Sequence, residues 1–247
     1  MQESIPVGAA EGRPLDQTTT HATDPGGVAS ALDDPRALQI LSTEHWSLLA
    51  GRSLAYNEAF SRAGMFLTFL SATLIVIGFL IGSQGLSSAV VPVAAVLLLA
   101  DLYIGAATVG RLVDASSEEL HAVRGMNRIR HAYREMVPGL EPYFVTSFHD
   151  DARGVLAAYG DVNAADTALL NIVHGLTTMT GMVATVVAMI IGAIAALIVV
   201  GLGAGVELAL VAAVGGFLVG TTIFAVIGMR AALAYQAGIE PLFPTPE

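Results

Sequence analysis

The stretch GMFLTFLSATLIVIGFLIG, residues 64–82, decides the architecture. It carries no charge, and a hydrocarbon core of roughly 30 Å is crossed by about 20 apolar helical residues. A short polar turn follows, Ser83-Gln84-Gly85-Leu86-Ser87-Ser88. A second apolar run then covers Ala89 to Gly110, broken only by Asp101. The same pattern returns downstream. A third run extends from about Ile172 to Leu202, turns at Gly203-Ala204-Gly205, and leads into a fourth that reaches about Tyr235, with Glu207 its one charge before Arg230. Four transmembrane helices in two hairpins are the expectation, and the fold class is all-α.

Composition agrees with this pattern. The chain has 247 residues, 54% hydrophobic and only 13% charged, against about 25% charged in an ordinary soluble domain. Residues 1–36 read as a disordered, mildly acidic tail rich in Gly, Pro and Thr, without the basic start and apolar core of a signal peptide. There is no cysteine, which excludes disulfides and thiolate chemistry. There is no lysine either, so no GxxxxGK[ST] phosphate loop exists. A formal net charge of −10 argues against a nucleic-acid partner.

Arginine placement predicts orientation. Both tight turns lack arginine, while Arg52, Arg62, Arg111, Arg124, Arg128, Arg130, Arg134, Arg153 and Arg230 all fall on the opposite side of a four-span arrangement. Arginine-rich loops face the cytoplasm. The expected location is therefore the plasma (cytoplasmic) membrane, multi-pass, with both termini cytoplasmic. The chain divides into a tail at 1–36, an amphipathic juxtamembrane helix at 37–63, hairpin one at 64–110, a cytoplasmic helical linker at 111–170, hairpin two at 171–235 and a C-terminal tail at 236–247.

The segments flanking the spans are helical in pattern. Trp46, Leu49, Ser53, Tyr56 and Phe60 recur at spacings of three and four, as do Ala122, Met126, Ile129, Tyr133 and Met136, with Arg128 on the neighbouring face. Pro138-Gly139 should stop the second helix, and the residues from Glu141 to Tyr159 read as a turn and a short helix. The third run, about 46 Å long at 1.5 Å per residue, exceeds the membrane. All four helices are expected to project into the cytoplasm and pack there against both amphipathic faces.

Within the bilayer, helices associate by close backbone approach through small residues. Gly64, Thr68, Ser71, Gly78 and Gly82 form such a face on helix one. Helix two offers Ala94, Asp101, Gly105 and Thr108. Helix three offers Gly181, Thr185, Ala188, Gly192 and Ala195, and helix four offers Ala209, Ala213, Gly216 and Gly220. Asp101 stands out, because an aspartate at the bilayer centre costs about 2.5 to 3.5 kcal/mol on insertion scales and must face protein or water. Ser71 lies at nearly its depth, and Thr185 and Thr222 lie within about a turn. These residues make a candidate proton or ion site. The competing reading is structural, with Asp101 hydrogen-bonded to Ser71 or Thr68 and fixing the hairpin. Glu207 reads as a carboxylate at a helix N-terminus. His149-Asp150-Asp151 reads as a charged helix start, since the other histidines form no second metal-ligand motif. No catalytic residue, metal site or cofactor is expected.

Three groups of juxtamembrane strings carry a resemblance. They are Glu44-His45-Trp46-Ser47-Leu48-Leu49-Ala50 with Tyr56-Asn57-Glu58; Ser61-Arg62-Ala63-Gly64-Met65-Phe66-Leu67; and Gly125-Met126-Asn127-Arg128-Ile129-Arg130 with Tyr133, Tyr143-Phe144 and His149-Asp150-Asp151. Between Glu44 and Arg153 the chain resembles a family of uncharacterised bacterial multi-pass integral membrane proteins. It is more faintly similar to the two-helix membrane effector domains of bacterial conflict systems. The resemblance implies no activity. The functional expectation is a non-enzymatic scaffold, sensor or assembly component acting through its cytoplasmic helices. The alternative is a small oligomeric channel or transporter using Asp101. The expected partners are the lipid bilayer and, at the cytoplasmic face, further copies of the chain or another protein.

Overall fold

The structure is a computed structural model and describes residues 31–159, 178–238 and 240–246. Expectations for most of the N-terminal tail, the end of the linker and the start of the third run lie outside those residues. The described part is all-α. Helix α1 covers Ala37–Gln84 and α2 covers Val90–Met136. A 3-10 turn at Glu141–Tyr143 and the short helix α3, Ala152–Ala157, follow. Helices α4, Met179–Gly201, and α5, Val206–Ala237, complete the fold. Among the described residues, four helices are long and apolar enough to cross a membrane.

The turns form where the sequence supplies left-handed backbone. Gly85, with φ of 64°, closes α1, and Gly203, with φ of 81°, separates α4 from α5. Gly139, with φ of 95°, follows the end of α2. A side chain at any of these positions would carry strain. Helix α2 packs against both α1 and α4, and α5 packs on α4. Val91 at the start of α2 would lie 3.3 Å from a Cβ on Gly201 at the end of α4, so both hairpin turns share one end of the molecule.

The core of the spans joins three helices. Phe66 and Leu70 of α1 meet Leu98 and Val109 of α2 and Val183, Val187 and Ile190 of α4. Gly105 makes room at the centre, since a Cβ there would meet Val187 at 2.7 Å and Phe66 at 2.8 Å. The small faces expected on α2, α4 and α5 are in use: Ala94 and Ala188 are fully buried, and a Cβ on Gly216 would meet the Gly192 Cα at 3.0 Å. The small face expected on α1 is not. A Cβ on Gly64, Gly78 or Gly82 would meet nothing within 4 Å; the packed face of α1 runs instead through Ala59, Ala63, Phe66, Leu70 and Thr73.

At 48 and 47 residues, α1 and α2 are each about 70 Å long and run unbroken through the boundaries drawn at 63 and 110. Beyond the spans, Leu48 of α1 joins Leu120, Val123 and Met126 of α2 and Val155 of α3. Arg52 donates from Nε and Nη2 to Glu119 Oε1, at 3.0 and 2.7 Å. The face expected on α2 is thus buried at Ala122, Met126 and Ile129. The face expected on α1 is turned outward, with Trp46, Tyr56 and Phe60 all at least 60% exposed. Alanines and Leu48 take its place because they let two long helices lie closer than aromatic rings would. Helix α4 also differs from expectation. Thr178 caps it, accepting from the Gly181 N–H, and its 23 residues give about 35 Å, a membrane thickness and little more.

Candidate functional site: a buried aspartate in the spans and a tail clamp at the arginine-rich end

Asp101 is fully buried at the α1–α2 interface. Thr73 of α1 stands beside it, yet neither carboxylate oxygen completes a hydrogen bond among the described residues. Thr73 is the residue that sequence reasoning missed. It shares a helix face with Phe66 and Leu70, and that periodicity was the available signal. Ser71, two residues away, lies on another side of α1, is exposed, and donates to the Leu67 carbonyl. Thr222 is likewise exposed and donates to the Leu218 carbonyl. Thr68 donates to Gly64. Thr185 donates to Gly181 and lines a separate open groove of about 390 Å³ between α2, α4 and α5, together with Thr180, Thr221 and Phe224. Asp101, Ser71, Thr185 and Thr222 are therefore not gathered into one site.

The denser polar constellation lies at the other end of α2. Asp150 is 1% exposed, and four groups converge on it. Arg128 Nε donates to Oδ2 at 2.7 Å, with Arg124 Nε at 3.5 Å. The backbone N–H groups of Leu242 and Phe243 donate to Oδ2 and Oδ1 at 3.0 and 2.7 Å. The Asp150 N–H in turn donates to the Phe243 carbonyl at 3.1 Å. Asp151 caps α3 by accepting from the Gly154 N–H, and it also accepts from the N–H and hydroxyl of Thr245. Arg124 Nη2 donates to the Glu240 carbonyl. The His131 ring stacks on Phe243, with centroids 3.8 Å apart. The C-terminal segment is thus held against α2 and the start of α3.

The local sequence makes this possible. Asn127, fully buried on α2, donates to the carbonyls of His149 and Gly154 and accepts from Arg130. That fixes the loop carrying Asp150. Gly154 is required because a Cβ there would strike the His149 carbonyl. Burial alone would raise the Asp150 pKa, but the Leu242 and Phe243 amides and the Arg128 guanidinium outweigh it and hold the carboxyl below its usual range. Asp151 behaves alike: burial is overcome by the Gly154 amide and by Thr245. For His131, burial and then Arg134 push the pKa down, against a smaller opposing pull from Glu135. Beside the clamp, a cavity of about 190 Å³ is bordered by Arg124, Asp150, Tyr235 and Pro241.

No family model, curated protein or solved structure matches this chain. Asn127, Arg128, Asp150 and Asp151, from the strings quoted above, are the residues that build the clamp. The expectation for His149-Asp150-Asp151 was right about Asp151, which caps a helix, and incomplete about Asp150. A signal for the rest was available. Gly139-Leu140-Glu141-Pro142-Tyr143-Phe144-Val145-Thr146 follows hairpin one, and Gly238-Ile239-Glu240-Pro241-Leu242-Phe243-Pro244-Thr245 follows hairpin two. Gly, Glu, Pro, Phe and Thr coincide in this repeat. Burial repeats as well from Glu141 and Glu240 onward, with Phe144, Phe243, Thr146 and Thr245 half-buried and the positions between them exposed.

Proposed function

We propose that this chain is a non-enzymatic integral membrane protein, a scaffold or assembly component of the plasma (cytoplasmic) membrane whose arginine-rich helical bundle faces the cytoplasm. The observation that supports this most is the tail clamp. The most distinctive polar residues, Asn127, Arg128, Asp150 and Asp151, are engaged in holding the chain's own backbone. Beside them α1 exposes Trp46, Tyr56 and Phe60, which suits a surface for protein contact. The test replaces Trp46 and Tyr56 by Ala and follows the native mass of the assembly extracted from membranes. A shift to smaller species with the fold intact supports the reading, and an unchanged mass removes it.

A second reading, a small oligomeric channel or transporter, is favoured by one observation: Asp101 is fully buried with no hydrogen-bond partner for either oxygen among the described residues. Liposomes holding wild type or Asp101→Asn decide it. Asn keeps the shape and can donate and accept, so the variant should fold. Ion or proton flux that is present in wild type and lost in Asp101→Asn establishes this reading; flux equal to empty liposomes ends it.

A further inference from the structure

Short strings recur between the two hairpins. Gly64-Met65 with Thr68 opens the first membrane run, and Gly181-Met182 with Thr185 opens α4 at the same spacing. Val93-Ala94-Ala95-Val96 on α2 recurs as Val211-Ala212-Ala213-Val214 on α5, with Gly110 and Gly228 equally far downstream. Burial follows the correspondence: Phe66, Leu70 and Thr73 are buried on α1, and Val183, Val187 and Ile190 are buried at the matching positions of α4. In that alignment Gly64, Thr68, Ser71, Ile75 and Gly78 of α1 match Gly181, Thr185, Ala188, Gly192 and Ala195 of α4.

The α4 stripe holds a helix. Cβ atoms on Gly216 and Gly220 of α5 would meet the Cα atoms of Gly192 and Ala188 at 3.0 Å. The α1 stripe holds none in the single chain, since Gly64 and Gly78 have nothing within 4 Å of a Cβ position. We propose that the outer face of α1 is a homodimer interface, on which α1 of a second copy of this chain lies in parallel, stripe against stripe. The occupant follows from the extent of the face. At 3.6 residues per turn, Trp46, Leu49, Tyr56 and Phe60 lie in the same sector as Gly64, Ser71, Ile75 and Gly78. One surface therefore runs from the water-side bundle into the spans. Lipid covers only its membrane part and a soluble protein only its other part. A second α1 covers both, and a two-fold axis along the membrane normal gives it the required direction. Charge agrees as well. Glu44, Arg52, Glu58 and Arg62, the only charged residues of α1, all fall outside the sector, which leaves two chains of net charge −10 a neutral face on which to meet. The inference holds whether the chain scaffolds or conducts.

The absence of cysteine gives a clean background. Ser71→Cys and Gly78→Cys, oxidised in native membranes, should each give a disulfide-linked band at twice the 25.5 kDa of one chain. Phe69→Cys, exposed on another side of α1, should give none. Gly78→Ile touches nothing within the chain, so its helicity and melting should match wild type while its native mass falls to that of a monomer. No dimer band at Ser71 and Gly78, an equal band at Phe69, adducts of a different mass, or a Gly78→Ile protein that keeps its oligomer would each overturn the proposal.

Discussion

Asp150 shows how much one buried carboxylate can organise when it accepts three hydrogen bonds and faces two arginines. Its removal leaves Arg124 and Arg128 uncompensated and two backbone amides without acceptors. Breaking a buried pair from one side costs about 3–5 kcal/mol, so Asp150→Ala should release the C-terminal segment. The check is hydrogen exchange, in which the amides of Leu242 and Phe243 lose protection while those of α4 and α5 keep it. The pH dependence of the clamp has a definite sign. Asp150 and Asp151 have depressed pKa values, so their contribution is complete above the ordinary carboxylate range, about 4, and is lost as pH falls through their folded values. His131 is also depressed, so the unfolded chain takes up its proton first. Its contribution is whole above about 6.5 and declines below that, as charge is forced in beside Arg134 and against Phe243. The protection factor of the Phe243 amide, its exchange corrected for the intrinsic pH dependence, should therefore fall between neutral pH and pH 5. His131→Phe should remove that step and leave the more acidic one; persistence of the step in His131→Phe would show that another group is responsible.

Among the elements, α2 was the most legible from sequence and α1 the least. On α2 the apolar period, the small face through Ala94, Asp101 and Gly105, and the stop at Pro138-Gly139 all pointed to one packed side. Ile129 is 5% exposed on that side, and Ile129→Asp should destabilise the arginine-rich bundle by roughly 2–5 kcal/mol, read as a lower melting temperature in detergent. Arg128 reads by spacing as a solvated neighbour. It is instead an anchor of Asp150, so Arg128→Ala should loosen the tail while sparing the spans. On α1, periodicity was ambiguous because the helix carries two coherent faces. The aromatic and glycine-rich face is the more conspicuous in sequence, but the face of Ala59, Ala63, Phe66, Leu70 and Thr73 is the one that packs. Apolar spacing shows that a face exists and does not say which neighbour meets it. For the same reason the sequence points to Ser71 as the companion of Asp101, whereas the structure puts Thr73 there: depth along a helix can be counted from the turn, but rotation about the axis is set by packing.

For the molecule as a whole, the pattern of apolar runs and turns was enough to find four helices long enough to span. The strings shared by the two hairpins are hard to see in the sequence because they are short and because their spacing is far longer than that of common repeat proteins. Both hairpin turns lie at one end of the bundle, which makes topology directly measurable. Ser88→Cys and Ala204→Cys should react with an impermeant thiol reagent added outside intact cells. Ser116→Cys, exposed near the arginine-rich end, should react only after permeabilisation; labelling of Ser116→Cys from outside would reverse the orientation. The tail clamp also carries a consequence for how the chain is made. Residues 240–245 are translated after both spans of hairpin two, whereas their receptors, Asp150, Asp151, Arg124 and His131, lie between the hairpins and emerge first. Chains fold from the N-terminus as they are synthesised. The groove formed by Asp150, Asp151, Arg124 and His131 can therefore close only after α4 and α5 have both been made.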